Sequence, residues 1–410
     1  MRVLLLLPFL LASCANSFMR STLPPERTFA EDVAFLKQHR ETIVLVAPHG
    51  SGQIAVVPEF QGRVMTSSAR GGAGQSYGFL KDELIASRTI AKGINVYGGE
   101  DRFWIGPEGG QFSVFFAPGT KEQTLASWQT PALIDTESYP VVEESASMVR
   151  FARPGRLVNA SGTVFDFALD RTIEVLDART ALAELGVEVQ ALSVVAYESR
   201  NTLTNTGAEA WTKERGLLSI WILGMFKPAP RTTIVLPLAL PGGAELAGQV
   251  NDAYFGKVPS ERLAHVASAH GSALLFRGDG ALRGKIGAAP TAARPLAGSW
   301  DPERGVLTLV TFTLPAGARD YVNSTWVVPQ AEPFRGDAVN SYNDGPSAPG
   351  AAPFGPFYEL ESSSPAAPLA PGQSLTHMHR TLHLEGSRAE LDRVARRVLG
   401  LSLEAIEGGL

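Results

Sequence analysis

The chain contains a single cysteine, Cys14, among 410 residues. One cysteine excludes an intramolecular disulfide and any zinc site built from cysteines. Lysine and arginine form no concentrated block, and the formal net charge is −5. Because nucleic acid binds to a concentrated cationic face, no nucleic-acid partner is expected. After residue 13, no apolar run is long enough to span a bilayer.

Two familiar catalytic motifs are also missing. The glycine-rich segment GGAGQ, residues 71–75, lacks the Lys-Ser/Thr pair that completes a phosphate-binding loop. The spacing Gly-x-Ser-x-Gly occurs once, in GQSYG (74–78), but four residues separate it from the preceding strand pattern, which ends at Ala69, whereas a nucleophile elbow follows its strand directly. Neither motif therefore supports phosphate binding or serine-based hydrolysis.

The first 13 residues predict a lipoprotein signal peptide. Arg2 precedes an apolar run, residues 3–11, that is too short to span a bilayer as a stable helix. Leu11-Ala12-Ser13-Cys14 resembles the bacterial lipobox, in which cleavage precedes the cysteine and its sulfur is lipidated. The alternative is an ordinary secretory signal with a chance cysteine.

The residue after the cysteine helps to predict the membrane in which such a lipoprotein lies. Position 15 is alanine, whereas the inner-membrane retention signal of enterobacterial lipoproteins has aspartate there. We therefore predict a lipoprotein of the outer membrane that faces the periplasm. Its membrane contact would be the lipid on Cys14, and residues 14–28 would form a tether.

Helix patterns are confined to the two ends of the remaining chain. FAEDVAFLKQH follows Thr28, a residue suited to an N-cap. SRAELDRVARRVLGL begins with Ser387 and has Glu390 three residues later, the spacing of a capping box. We predict a short N-terminal helix and a C-terminal helix over residues 387–400.

Nearly everything between these helices has the pattern of short β-strands, which include FSVFFAP (112–118), FYELESS (357–363) and LTHMHRTLHL (375–384). About fifteen or more strands without a repeat period argue against a propeller or solenoid. We predict an all-β fold of two large packed antiparallel sheets, with residues 29–410 forming one domain.

Several segments resemble the galactose mutarotase (aldose 1-epimerase) superfamily, whose fold is a β-supersandwich. More closely, most of residues 29–385 resembles an uncharacterised family of bacterial mutarotase-like lipoproteins. The segments are IAVVPEFQGRVMTSSA (54–69), GGEDRFWIGPEGGQF (98–112), ESRNTLTNTGAEAW (198–211), SIWILGMFKPAP (219–230), QVNDAYFG (249–256) and FYELESSSPAAPLAPGQSLTHMHRTLHL (357–384).

The resemblance implies a catalytic base. Aldose 1-epimerases use a late-strand glutamate to take the proton from the anomeric hydroxyl, while a histidine protonates the ring oxygen. Leu360-Glu361-Ser362 is similar to the family's Leu-Glu-Thr, so Glu361 takes the position of the base. Glu359 would share its strand face and could share a proton with it. The alternative is a solvated face with two unrelated acids.

The implied acid is missing from its usual place. In VNDAYFG the mutarotase histidine corresponds to Asp252, which is not a natural proton donor at neutral pH. His377 and His379 form His-x-His on one strand face, and either could replace the acid. Together with a carboxylate they could also chelate a metal. We expect neutral histidines instead, with no metal and no cofactor.

Further residues are implied as sugar contacts. Arg102 takes the position of the family arginine that binds sugar hydroxyls, and Trp104 would stack on a sugar face or pack in the core. Asn251 and Tyr254 keep the family residue types. Asn343 could contact ligand, although it lies in SYNDGP (341–346), where a turn through Asp344-Gly345 is the alternative. Glu108 beside Gly109-Gly110 could also contact ligand, but we expect it to be a hairpin acid.

These patterns predict a carbohydrate-active, periplasm-facing lipoprotein. The expected chemistry is that of an epimerase, lyase or hydrolase acting on a sugar or modified sugar, with Glu361 as base. A carbohydrate-binding lipoprotein without catalysis is the alternative.

Overall fold

A computed structural model describes residues 26–188, 191–348 and 350–410. The predicted signal peptide, Cys14 and all but the last three residues of the predicted tether lie outside the described residues. Across the described ranges, no helix has both the length and the apolar character needed to cross a membrane.

The chain is built mainly from antiparallel strands. In chain order they are β1 (Ile43–Val46), β2 (Gln53–Val57), β3 (Arg63–Ser68), β4 (Arg102–Gly106), β5 (Val141–Glu144), β6 (Met148–Val158), β7 (Val164–Val175), β8 (Ser193–Asn205), β9 (Ser219–Phe226), β10 (Thr233–Leu238), β11 (Val250–Asn251), β12 (Leu263–Ser268), β13 (Gly271–Arg277), β14 (Gly284–Ala288), β15 (Leu296–Asp301), β16 (Val306–Phe312), β17 (Val339–Asn343), β18 (Tyr358–Ser363) and β19 (Ser374–Glu385).

These strands form three sheets. The largest has ten strands in the order β12-β13-β10-β15-β16-β19-β8-β7-β6-β5. A six-stranded sheet has the order β11-β14-β17-β18-β9-β4, and β1-β2-β3 form a small third sheet. The predicted all-β class with large antiparallel sheets is confirmed.

Within the described ranges, five short α-helices accompany the sheets: α1 (Phe29–His39), α2 (Asp82–Ser87), α3 (Ala178–Ala183), α4 (Arg388–Val398) and α5 (Leu403–Gly408). The sequence predicts α1 and α4. Thr28 and Glu31 form a capping box at the start of α1, and the Ser387 hydroxyl accepts a hydrogen bond from the Glu390 amide at α4. Leu391 and Val394 of α4 pack with Leu382 and Leu384 of β19, so α4 covers the outer face of the ten-stranded sheet.

The core between the two large sheets positions the site. Leu236, Phe276 and Val310 of the ten-stranded sheet pack with Tyr358 and Leu360 of β18. Successive side chains on a strand point to opposite faces. The residues that alternate with Tyr358 and Leu360, including both glutamates of β18, therefore project from the other face of the six-stranded sheet.

Two local predictions are corrected by the structure. Residues 112–118 form no strand, although Val114, Phe115 and Phe116 are buried. The predicted loop at 341–346 begins inside a strand, because β17 runs to Asn343.

Candidate functional site

Sheet register brings the polar residues of the six-stranded sheet together. Glu361 lies opposite Leu223 of β9 on one side and Asn340 of β17 on the other. Leu223 in turn lies opposite Arg102 of β4. In the next row, Tyr342 of β17 lies between Glu359 of β18 and Lys285 of β14. Cross-strand neighbours of this kind are within side-chain reach.

A cavity of about 70 Å³ lies over this face. Its aromatic walls are formed by Trp104, Trp128, Trp221, Phe255, Trp326, Tyr342, Phe354 and Phe357, and its charged lining residues are Arg102, Glu108, Arg283, Lys285 and Glu359. The exposed side chains of Leu125 and Phe255 also line it, so the cavity reaches the molecular surface.

The two glutamates of β18 are each held by a separate cation. A guanidinium nitrogen of Arg102 lies 2.8 Å from Glu359. Glu361 Oε2 accepts hydrogen bonds from Lys285 Nζ at 2.8 Å and from Trp221 Nε1 at 2.9 Å. Arg102 also lies over the Trp104 ring, 4.2 Å from its centroid, and Lys285 lies 4.7 Å from that of Trp221. Both cations therefore rest on aromatic faces that stabilise their charge.

Buried polar atoms without a partner cluster around this cavity. Among the described residues, no hydrogen bond reaches Arg102 Nε, Trp104 Nε1, Trp128 Nε1, Arg283 Nε or Glu361 Oε1. Buried polar atoms are almost always hydrogen-bonded in folded proteins. Five unpaired atoms, four donors and one acceptor, therefore lie in or directly behind the walls of one cavity, where a polar ligand could pair with them once the walls adjust.

Burial shifts the ionisation of the carboxyl groups here. It raises the pKa of Glu108 to about 7, against the effect of Lys285 and with the help of the negative Glu361. Burial likewise raises the pKa of Glu359, opposed by the Arg102 guanidinium and reinforced by Glu361. For Lys285, burial favours the neutral amine, but the Glu361 and Glu108 carboxylates outweigh it and raise the pKa. The site thus combines fixed charges with carboxyl groups that hold protons unusually well.

The predicted residues divide between the cavity and its surroundings. Arg102, Trp104 and Glu359 line the cavity. Glu361 lies beneath it, fully buried behind Lys285 and Trp221, and does not form part of the lining.

His377 and His379 lie on the other side of β18. Both imidazoles hydrogen-bond to the Ser362 hydroxyl, each at 2.8 Å. Ser362 alternates with Glu359 and Glu361 along β18, so its side chain points into the core between the sheets. Burial lowers the pKa of His377 to about 3 and that of His379 to about 4. The structure therefore does not bring the two histidines together with the two glutamates.

The predicted sugar contacts around β11 lie beside the site. Asp252 pairs with the exposed Lys257 at 2.5 Å. Asn251 and Tyr254 line a second cavity of about 590 Å³. The Tyr254 hydroxyl donates to Asp337, and its ring lies 5.5 Å from Lys285 Nζ. Tyr254 thus connects the second cavity to the first.

Asn343 of β17 has a structural position. Its side-chain oxygen accepts from the Gly280 amide at 2.8 Å, and its nitrogen donates to the Leu282 carbonyl at 2.8 Å. These bonds fasten the loop before β14. Among the described residues, no three His, Cys, Asp or Glu side chains converge as a metal site would require.

Comparison with known proteins places the chain in a family. Residues 27–410 match the model of a family described as a family of unknown function, DUF6786. The chain belongs to this family. No curated protein is significantly similar to it.

Solved structures share the fold at low identity. A candidate aldose 1-epimerase from Escherichia coli K12 is 14% identical, with a TM-score of 0.50 over 85% of this chain and 100% of that chain. A galactose mutarotase-like protein from Lactobacillus casei ATCC 334 is 12% identical, with a TM-score of 0.47 over 84% of this chain and 100% of that one. The DUF6786 chain therefore has the galactose mutarotase-like fold that its sequence segments implied.

Glu108 is the cavity residue that sequence reasoning set aside. It was expected to be a hairpin acid, yet it lines the cavity in the loop after β4, and its amide donates to Ser324 Oγ at 3.2 Å. Arg102, Trp104 and Glu108 occupy even positions of one segment, DRFWIGPEGG. Because β4 ends at Gly106, however, strand alternation does not extend to Glu108 and could not have indicated that it faces the cavity. Trp128 and Trp326 come from distant loops, and no local pattern indicates that they reach the site.

Proposed function

We propose that the cavity on the six-stranded sheet binds a carbohydrate and acts on it by acid–base chemistry. The observation that carries this proposal is the cluster of unpaired buried polar atoms beside aromatic walls. Sugar rings present apolar C–H faces, which stack on indole rings, and hydroxyl groups, which donate and accept hydrogen bonds. The mutarotase-like fold agrees with this ligand class, although a fold does not determine function.

In this proposal Glu361 is the general base. Its Oε2 is held by Lys285 and Trp221, while Oε1 has no partner among the described residues. A fixed carboxylate with one free oxygen suits the removal of a proton from a sugar hydroxyl. Because Lys285 lines the cavity above Glu361, a substrate hydroxyl would reach the carboxylate by displacing the ammonium group.

Glu108 is the proposed general acid. A carboxyl group whose pKa is raised to about 7 is about half protonated at neutral pH, where acid catalysis is most effective. In ring opening, Glu108 would donate its proton to the ring oxygen while Glu361 takes the proton of the anomeric hydroxyl. The bond between the anomeric carbon and the ring oxygen breaks as the carbonyl forms. Reversal of these steps on the other face gives the other anomer.

A second function, carbohydrate binding without turnover, is favoured by one observation. Glu359 and Glu361 are both ion-paired, and Glu361 does not line the cavity. On this view the glutamates hold Arg102 and Lys285 in position to contact sugar hydroxyls, and no proton transfer follows.

The experiment combines turnover and binding. Anomer interconversion of freshly dissolved α-D-glucose and α-D-galactose would be followed by polarimetry, and sugar binding by calorimetry. We expect Glu361→Gln and Glu108→Gln to lower turnover by roughly a hundredfold or more while binding persists. Glu122→Gln, which alters an exposed carboxylate, is the matched control.

Wild-type protein that binds these sugars without interconverting them would support the second function. Protein that binds neither these neutral sugars nor an acidic sugar would contradict both.

The proposed location rests on the N-terminal sequence. We propose that a lipid on Cys14 anchors the protein to the outer membrane, with the sugar site in the periplasm. The lipobox Leu11-Ala12-Ser13-Cys14 and the alanine that follows it support this location.

A further inference from the structure

Arg283 differs from the other cations of the cavity. Arg102 and Lys285 each pair with a glutamate of β18. In contrast, no carboxylate of the described chain lies within ion-pair distance of the Arg283 guanidinium. Its Nε is buried and has no hydrogen-bond partner in the described ranges. A guanidinium is always charged at physiological pH, so the cavity holds a cation without a direct ion-pair partner, and only the more distant carboxyl groups of Glu108 and Asp344 interact with its charge.

The surroundings of Arg283 fix its position. Its guanidinium carbon lies 4.0 Å from the ring centroid of Phe255 and 5.8 Å from that of Phe354. The loop that carries it is fastened by Asn343 through Gly280 and Leu282, and β14 begins at the next residue. Contact with aromatic faces leaves the N–H edges of a guanidinium available, and those edges match an anion that presents two oxygens side by side.

The balance of charge in the cavity favours an anionic ligand. Three cations line it, Arg102, Arg283 and Lys285, and at most two of them are offset by the paired Glu359 and Glu361, because burial raises the pKa of Glu359. Glu108 remains as a carboxyl group that burial keeps partly protonated at neutral pH. The site therefore retains positive charge, which a neutral sugar would leave uncompensated.

We propose that the cavity takes an acidic sugar and that Arg283 binds its anionic substituent, either the carboxylate of a uronic acid or an ester sulfate. This inference rests on the proposed carbohydrate function and narrows its substrate class. Arg283 would orient the sugar by two N–H···O bonds, while Trp and Phe rings contact the apolar face of the ring.

The test compares D-glucuronate, D-glucose 6-sulfate and D-glucose as calorimetric probes at low salt. We expect wild-type protein to bind at least one of the two anionic probes about tenfold or more tightly than glucose. Arg283→Gln should reduce that preference to within about twofold. Arg283→Lys keeps the charge but loses the planar fork, so it should retain an intermediate preference. Arg179→Gln, an exposed arginine of α3, is the charge control.

The possible results test the role of Arg283 separately from the carbohydrate function. Preference for glucuronate identifies a uronic acid, and preference for the sulfate identifies an ester sulfate. Equal binding of all three probes, or a preference that survives in Arg283→Gln, would overturn the assignment of Arg283 and leave the carbohydrate function standing. Protein that binds none of the probes would contradict the carbohydrate function itself.

Discussion

Glu359 and Glu361 lie two residues apart on one face of β18, and each is buried against a different cation. Arg102 of β4 approaches Glu359 to 2.8 Å from one side, and Lys285 of β14 approaches Glu361 to 2.8 Å from the other. Two carboxylates on one buried face would repel each other strongly, because a low-dielectric site screens their charge poorly. The two cations offset that repulsion and hold the carboxylates in fixed directions.

Removing Lys285 should therefore destabilise the fold. Lys285→Met leaves the fully buried Glu361 without its ionic partner, and the loss of one partner of a buried pair typically costs about 3–5 kcal/mol. We expect a loss of that size in the free energy of unfolding, measured by urea denaturation at pH 7. Lys257→Met, which breaks the more exposed pair with Asp252, should cost no more than about 1 kcal/mol.

A double variant tests whether the two groups act as a pair. Lys285→Met combined with Glu361→Gln removes both charges, so it should be more stable than Lys285→Met alone. Equal or lower stability of the double variant would mean that the ion pair is not the source of the effect.

The strands that build the core could be predicted from sequence, because alternation and β-branched or aromatic residues mark them. FYELESS and LTHMHRTLHL correspond to β18 and β19. The same alternation correctly placed Glu359 and Glu361 on one face. It could not show which neighbours share that face, since Ser362 turns toward His377 and His379 while the glutamates turn toward Arg102 and Lys285.

Secondary-structure predictions failed mainly in the strands and loops that form the site. β14 and β17 read GKIGA and VNSYN, which contain little of the apolar pattern of a buried strand. Lys285 of β14 and Tyr342 of β17 line the site instead of the core, and such conflicts between local pattern and fold are typical of functional regions. For residues 112–118 the error was the opposite one, because a strand was predicted where the structure has a loop. Phe115 packs against Trp104 and Trp128 in a buried loop, and a short apolar run alone does not distinguish such a loop from a strand.

The membrane anchor gives a prediction independent of the site. If Cys14 carries a lipid, Cys14→Ser should move the protein from the membrane fraction to the soluble fraction of the cell. The melting temperature of the site-bearing domain should not change, because Cys14 precedes the predicted domain, residues 29–410, in the chain. Fractionation followed by immunoblotting measures the first effect, and thermal unfolding of purified protein the second. A Cys14→Ser protein that stays in the membrane fraction would contradict the lipobox assignment.

The buried histidines should make the protein less stable in mild acid. Burial lowers the pKa of His377 to about 3, whereas an unfolded histidine titrates near its ordinary value of 6.5. Between these pH values the unfolded chain binds more protons than the folded one, so stability rises with pH and falls on acidification. Replacing His377 should remove part of that dependence, roughly 2–3 kcal/mol between pH 6.5 and 4.5.

His377→Asn keeps a polar side chain beside Ser362 but does not titrate in this range. Urea denaturation at the two pH values gives the difference directly. His49→Asn alters an exposed histidine and should leave the wild-type dependence in place. If His377→Asn shows the same loss in acid as wild type, another group is responsible.

Glu108 should affect stability with the opposite sign. Its pKa rises from an ordinary value of 4.5 to about 7 in the folded chain, so between these values the folded state binds more protons than the unfolded one. The contribution of Glu108 to the free energy of unfolding therefore decreases as the pH rises from 4.5 to about 7. Glu108→Gln should be more stable than wild type at pH 7.5, by roughly 1–3 kcal/mol for a partly buried group, and no more stable near pH 4.5.

The same variant links stability to function. A carboxyl group kept at a cost in stability is expected where its proton is used, since functional sites commonly trade stability for activity. Glu108→Gln should therefore combine increased stability at pH 7.5 with loss of sugar turnover, and Glu122→Gln should show neither effect. Increased stability without any loss of turnover or of sugar affinity would show that Glu108 is only a buried acid of the loop. Urea denaturation and polarimetry on the same preparations decide between these results.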